Sequence, residues 1–128
     1  CTDENNIYIE IIPMQKEKRI SYYKFIEKKL NNFTAIFCAS DAYAIEVMNF
    51  LTDSGYSIPN DISIAGFDDI PSAQIVRPAL TTIKQNIQVR AEKAISLLNE
   101  QITGNVKENN VVLSVELVER SSVARIIG

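Results

Sequence analysis

Apolar positions change their spacing from block to block along the chain, and each block predicts one helix or strand. Residues 7–12 are β-branched and aromatic and stop at Pro13, which predicts a first strand. A continuous apolar run at 34–39 predicts a second strand, buried on both faces. Between them, an amphipathic helix over about 17–31 is predicted by apolar residues at helical spacing, which are Ile20, Tyr23, Ile26 and Leu30.

The middle of the chain predicts a helix and then a third strand. Ser40 and Asp41 can cap the start of a helix that runs to about Asp53, and Gly55 is placed to end it. Residues 62–67 predict the strand that follows.

The last third predicts a short strand, a long helix and a final strand. Residues 80–83 are β-like, and residues 111–118 predict a last strand whose alternation is incomplete. A helix over about 86–103, ended by Gly104, is predicted by a regular apolar stripe made of Ile87, Ala91, Ala94, Ile95, Leu98 and Ile102.

Strands that alternate with helices predict an α/β fold with a three-layer, Rossmann-like parallel sheet. Only three or four strands are visible in the 128 residues, which is few for a complete doubly wound sheet. We therefore expect the chain to be part of a larger domain.

Composition excludes several kinds of chemistry. The chain has no His, so it holds no His-ligated metal, no Ser-His-Asp triad and no Cys-His pair. Two Cys cannot form a disulfide scaffold, and Cys38, in an apolar run, is expected to be inert core. A net charge of −3 argues against nucleic-acid binding by this stretch alone. We expect no enzyme, no metal and no cofactor.

The N-terminal residues bear on the cellular class of the protein. No run of about 18 apolar residues predicts a membrane span, and residues 1–6 lack the apolar core of a signal peptide. Cys1 would suit a processed lipoprotein, but the missing Met favours a chain cut from a longer one.

Two of the predicted strands end in polar residues, Ser40 and Asp41 after one and Asp68 and Asp69 after the other. Ligands of open parallel sheets bind beyond the carboxyl ends of the strands. Carboxylates can accept hydrogen bonds from vicinal hydroxyls, so these residues fit a neutral polyol such as a sugar.

Other interpretations of these residues stay open. Ser40 or Asp41 can be a helix cap, and Asp68 with Asp69 can form an Asx turn. Paired carboxylates also occur in acid–base catalysis and Mg²⁺ sites, but no nucleophile, phosphate-binding loop or further ligand accompanies them here.

The helix predicted over 42–52 is apolar almost all round, which requires cover on two sides. One side packs on the sheet. The other needs a second subunit or a missing part of the domain, and Ile75 and Val76 could join that surface.

Four segments in this order resemble the C-terminal part of the lactose/galactose-repressor (LacI/GalR) family of transcription regulators. They are TAIFCASD at 34–41 with Ala44, IPNDISIAGFDD at 58–69 after Gly55, PALTTIKQ at 78–85, and LVERSS at 117–122. The resemblance covers roughly residues 30–123.

This resemblance implies a periplasmic-binding-protein-like effector domain, with two Rossmann-like subdomains around a cleft. Residues 1–84 would belong to the C-terminal subdomain, residues 85–114 to the N-terminal subdomain, and residues 115–128 would form the return strand and tail of the C-terminal subdomain. The helix at 86–103 would then pack on the N-terminal subdomain. The family also implies a cytoplasmic homodimer that binds operator DNA through a helix-turn-helix segment absent from these residues.

Site residues follow by the same resemblance. Asp68 matches the aspartate that hydrogen-bonds the effector, and Ser40, beside Asp41, matches a polar cleft position that is often Asn. Met14 falls where the family has an aromatic residue that stacks on the ligand, and a shifted register would place a tyrosine there, Tyr22 or Tyr23. The dimer face matches Ile45, Met48, Asn49, Ile75 and Val76.

The leading hypothesis is the effector-binding and dimerisation portion of a transcriptional regulator, a repressor that responds to a carbohydrate-like small molecule. The alternative is a sugar-binding protein of a transport system, which shares the fold.

Overall fold

Four strands form one sheet in the computed structural model, which describes residues 7–105 and 110–125. In spatial order they are β1 (Ala35–Phe37), β2 (Ser63–Asp68), β3 (Thr81–Gln85) and β4 (Val115–Val118). The first three run parallel, and β4 is antiparallel to β3. The predicted α/β fold is therefore confirmed, with a sheet that is mostly parallel where a parallel sheet was predicted, and the final strand is shorter than predicted.

Three helices lie where the sequence predicts them, and a one-turn helix and a short 3-10 helix were not predicted. They are α1 (Lys16–Glu27), α2 (Asp41–Asp53), the one-turn α3 (Ser72–Ile75) and α4 (Ile87–Thr103), with a short 3-10 helix at Leu30–Asn32. Helix α1 ends four residues earlier than the apolar spacing predicts, and the 3-10 turn carries Leu30 into the core.

Helix α2 shows how its sequence sets both ends and one face. Ser40 has an extended backbone and its Oγ accepts the Ala42 N–H at 3.3 Å, while Gly55, with φ +93°, follows the last turn. The buried face recurs at helical spacing and packs on the core of Ile62, Ile64 and Leu80. Its members are Ala44, Val47, Met48 and Leu51.

The strand predicted over 7–12 is wrong: this segment forms no ladder with the sheet. Its alternate residues Tyr8, Glu10 and Ile12 line a cavity of about 160 Å³ against α1 and β1, whereas Ile9 and Ile11 are 85% and 88% exposed. β-Branched composition gives strand propensity, but a strand also needs a neighbouring backbone to pair with.

The segment after β4 fastens the tail to the parallel strands. Ser122 is fully buried. Its Oγ donates a hydrogen bond to the Ile64 carbonyl at 2.5 Å and accepts one from the Thr81 N–H at 2.8 Å. The Ile64 N–H donates to the Ser122 carbonyl at 2.8 Å. The chain therefore returns to the sheet after the excursion through α4.

Helix α4 ends at Gly104 as predicted, is capped at its start by Asn86, and has no buried residue. The Asn86 side chain accepts the Val89 N–H at 3.1 Å, and Gly104, at φ +72°, ends the helix. Its apolar stripe is uncovered, with Ile95 69% and Ile102 76% exposed.

The lipoprotein interpretation of Cys1 lies outside the described residues. Within residues 7–105 and 110–125, no helix has the length and apolar character that crossing a bilayer requires. The same residues contain no group of His, Cys, Asp and Glu that could hold a metal ion.

Candidate functional site

Asp68 ends β2 at the rim where the parallel strands finish, opposite Lys84 in the ladder register. Its Oδ1 accepts a hydrogen bond from Gln85 Nε2 at 2.8 Å, and the Gln85 Oε1 accepts one from Arg90 Nη1 at 2.8 Å. Asp68 is half-buried and lines a surface cleft with Lys84, Gln85 and Glu116. Among the described residues no donor bonds the other carboxylate oxygen, so it can accept a hydrogen bond from a ligand.

Asp69 has a structural role that the sequence did not indicate. Its Oδ1 pairs with Arg120 Nη2 at 2.6 Å, and both side chains are nearly buried, with 10% and 13% exposed. Arg120 also donates to the Leu80 carbonyl at 2.8 Å, and its backbone N–H donates to Thr81 Oγ1 at 2.9 Å. This pair joins residues 51 positions apart and ties the loop after β2 to the end of β4.

The backbone of this loop is unusual at two consecutive positions. Asp68 has φ +118° and Asp69 has φ +55°, both in the region that favours glycine. Such residues cost about 1–3 kcal/mol each and persist where the surrounding structure holds them. The loop is therefore fixed by its neighbours rather than by its own preference.

Asp41 is fully buried, unlike a residue that faces a cleft. Its Oδ1 accepts the Thr82 hydroxyl at 2.5 Å and its Oδ2 accepts the Ile70 N–H at 2.9 Å. A Cβ at Gly66 would lie 2.2 Å from the Asp41 Oδ1, so only glycine leaves room for this carboxylate. The fold uses both oxygens, which makes Asp41 an internal anchor, and a direct effector contact there stays a prediction without support from the geometry.

The other predicted effector residues have mixed placements. Ser40 is half-buried at the start of α2, where it acts as the N-cap. Met14 is 88% exposed before α1, and its carbonyl accepts a bond from Arg19. Tyr23 is 4% exposed and cannot stack on a ligand, and the Tyr22 hydroxyl donates to Glu10 at 2.8 Å. The roles of Ser40 and Met14 stay predictions.

The predicted dimer face divides into core and surface. Met48 is 1% exposed, because the helical repeat turns it toward the sheet together with Ala44, and its role in an interface stays a prediction without support from the geometry. Ile75 is 73% exposed, and the remaining three positions are half-buried or exposed. The surface that could receive a partner is thus made of Ile45, Asn49, Ile75 and Val76.

An ion pair between α1 and α2 was missed in the sequence. Arg19 holds both carboxylate oxygens of Glu46, at 2.7 and 2.9 Å, and the Tyr23 hydroxyl donates to Glu46 at 2.7 Å. The Arg19 bonds hold the pKa of Glu46 below its usual value, and burial raises the pKa of Tyr23, helped by its bond to Glu46. Partners 27 positions apart give no periodic signal.

Cys38 is buried in the core, as predicted. Burial raises the pKa of its thiol to about 12, so the reactive thiolate is scarce at neutral pH.

Comparison with known proteins identifies the family of this chain. A model of the periplasmic binding protein-like domain matches residues 1–123. The HTH-type transcriptional regulator MalR of Clostridium butyricum is 37% identical over 124 residues, which are 93% of this chain and 37% of that protein. The chain thus spans well under half the length of this relative.

Solved structures agree with the sequence relatives. A LacI-family transcriptional regulator from Burkholderia phymatum superposes with a TM-score of 0.74 at 27% identity, over 97% of this chain and 45% of the other. The lac repressor dimer bound to operator and the anti-inducer ONPF gives 0.70 at 30% identity, over 83% and 38%. A complex of the transcriptional regulator CelR with cellobiose gives 0.74 at 25% identity, over 87% and 34%. The chain belongs to the periplasmic-binding-protein-like domain family, and its relatives are LacI-type transcriptional regulators.

Proposed function

We propose that this chain is the effector-binding and dimerisation part of a transcriptional repressor, and that Asp68 hydrogen-bonds a carbohydrate-like effector. The observation that carries the proposal is the Asp68 carboxylate: it stands at the carboxyl end of β2, opens on a cleft, and keeps one oxygen available. Cellobiose in the CelR complex supports the chemical class. Ser40 and Met14, the further predicted contacts, would complete the effector site.

The division into subdomains is part of the proposal. Residues 1–84 and 115–128 form the C-terminal subdomain, and residues 85–114 belong to the N-terminal subdomain on the far side of the cleft. Two observations support this: α4 buries no residue, and the segment after β4 bonds back to β2 and β3. The stripe of α4 would then pack against the rest of the N-terminal subdomain.

Regulation requires two further partners. A second copy would bind at the surface of Ile45, Asn49, Ile75 and Val76; the lac repressor structure, which is a dimer, supports the dimeric state. Operator DNA would be bound by a helix-turn-helix segment outside these residues, in the cytoplasm. Effector would act by binding two closure states with different affinity, a coupling of about 1–3 kcal/mol.

A transport protein and an enzyme are less well supported. The named relatives are transcriptional regulators. Cys1 would suit a transport lipoprotein, but the names of the relatives favour the regulator.

The test uses the regulator that carries this chain. A panel of mono- and disaccharides that includes cellobiose is screened by calorimetry, and operator binding is measured in parallel. Asp68→Ala should weaken binding of the responding sugar by about tenfold or more, because it removes a charged acceptor. Operator affinity without sugar should stay within about twofold of the parent.

Asp53→Ala is the matched control, since it removes an exposed carboxylate at the far end of α2. It should bind the same sugar as the parent does. If Asp68→Ala also binds and responds as the parent does, Asp68 is not the effector contact and the proposal is wrong.

A further inference from the structure

Asp41 lies where three parts of the fold meet. It is the first residue of α2, it takes the Thr82 hydroxyl of β3 on Oδ1, and it takes the Ile70 N–H of the loop after β2 on Oδ2. Thr82 is itself fully buried. The Thr82 hydroxyl occupies Oδ1, which leaves Oδ2 to accept the Ile70 N–H.

The Ile70 amide closes the turn that carries Asp68. Asp68 and Asp69 both have left-handed backbone angles, and the next N–H is the one held by Asp41. Returning the two aspartates to ordinary angles would reorient that N–H and break a bond to a charged acceptor, which is stronger than one to a neutral group. The bond thus opposes relaxation of the turn.

The other contacts of this turn act on side chains. Gln85 bonds the Asp68 carboxylate and Arg120 bonds the Asp69 carboxylate. Asp41 bonds the backbone, and Gly66 leaves the space that its carboxylate fills.

We propose that Asp41 is a positioning residue: oriented by Thr82, it holds the Ile70 amide and so keeps Asp68 in the conformation that meets the effector, without touching the effector itself. This inference rests on the proposed function of Asp68. The sequence predicted that Asp41 contacts the effector directly. Because the fold encloses Asp41 completely, the inference gives it an indirect role instead.

The first measurement needs no effector. Amide hydrogen exchange is followed by mass spectrometry in the regulator that carries this chain, on peptides that cover residues 66–72. Asp41→Asn and Thr82→Val should speed exchange there, since the first weakens the acceptor and the second frees it to rotate. Thr82→Ser keeps the hydroxyl and should restore protection, and Asp53→Asn repeats the amide substitution at an exposed site of the same helix and should change nothing.

The second measurement is affinity for the sugar that binds best in a panel that includes cellobiose, well below the unfolding temperature of each variant. Asp41→Asn should weaken binding by about tenfold and Thr82→Val by several-fold, while Thr82→Ser stays within about twofold. A purely structural role would lower thermal stability and leave the affinity of the folded protein unchanged. If Asp41→Asn does not fold, Thr82→Val and Thr82→Ser carry the comparison.

The outcomes separate this inference from the proposed function. If Asp68→Ala loses sugar binding while Thr82→Val and Asp41→Asn bind as the parent does, the positioning role is wrong and the effector contact stands. If Asp68→Ala binds normally, the effector contact is wrong, and the positioning role, which rests on it, falls too. Unchanged exchange over 66–72 in both Asp41→Asn and Thr82→Val would also overturn the positioning role.

Discussion

The sheet region, residues 35–85 with 115–124, and helix α4 both carry regular apolar patterns, yet they differ in what covers them. In the sheet region Met48, Ile64 and Leu80 are at most 1% exposed. In α4 no residue is buried, although its stripe is as regular. An apolar stripe thus predicts a helix but does not identify its partner, and none of the described residues buries the stripe of α4.

Polar side chains also differ between the sheet region and α4. In the sheet region, Asp41, Thr82 and Ser122 are fully buried and hydrogen-bonded, and among the described residues no buried side-chain nitrogen or oxygen lacks a partner. Such groups join strands and loops that are distant in sequence. On α4, by contrast, the side-chain bond between Gln88 and Glu92, at 3.1 Å, is local and exposed.

The largest expected effect comes from placing the same charge in both regions. Met48→Asp should abolish cooperative unfolding, because it buries an unpaired carboxylate and costs at least several kcal/mol. In the 128-residue chain on its own, where the stripe of α4 is uncovered, Ile95→Asp should change the free energy of unfolding by less than about 0.5 kcal/mol. Urea unfolding followed by circular dichroism measures both.

If Met48→Asp had the same free energy of unfolding as the parent, the difference in burial between the sheet region and α4 would not hold. Met48 would then lie on a surface, as the dimer-face prediction required. A large loss in Ile95→Asp would show instead that α4 is covered in solution, for example by a second copy.

A smaller difference in stability is expected between substitutions at two glycines, Gly66 and Gly104. Gly66→Ala should lower the free energy of unfolding by about 1–3 kcal/mol, because the added Cβ meets the buried Asp41 carboxylate. Gly104→Ala, at the end of α4, meets open space and costs only its left-handed angle, about 1 kcal/mol. The denaturant midpoints of the two variants show which substitution destabilises the protein more. If Gly66→Ala lost no more stability than Gly104→Ala, the Asp41 carboxylate would move aside easily.

Local signals in the sequence predicted most of the elements. Ser40 and Gly55 set the ends of α2, and Asn86 and Gly104 stand at the ends of α4, because capping depends on residues close in sequence. The strand over 7–12 failed because pairing depends on a distant backbone.

The candidate site was less predictable, since it depends on contacts across the chain. The sequence placed Asp41 and Asp68 at one rim but could not tell that one is enclosed and the other open. It gave no sign that Asp69 pairs with Arg120. An all-round apolar helix likewise has no preferred face, so the sequence could not tell that Met48 is turned into the core.

The smallest expected effect concerns the ion pair that fastens α1 to α2. Arg19 lowers the pKa of Glu46 from its usual 4.5 in the folded protein, so this carboxylate stabilises the fold above about pH 4.5 and loses that contribution as the pH falls through its folded value. A third of the Glu46 side chain is exposed, which limits the effect to less than about 1 kcal/mol. Glu46→Gln should therefore cost most near pH 7 and progressively less below pH 4.5, in urea unfolding at a series of pH values.

Two further variants decide whether the pair is the cause. Arg19→Gln should give a pH dependence of the same sign as Glu46→Gln but smaller, because it removes the Arg19 bonds and leaves the Tyr23 bond to the carboxylate. Glu92→Gln on α4 loses an exposed carboxylate with a local partner and should leave stability at pH 7 unchanged. Should Glu46→Gln and Glu92→Gln behave alike, long-range ion pairing would not distinguish the sheet region from α4, and the difference between them would rest on apolar burial and buried hydrogen bonds.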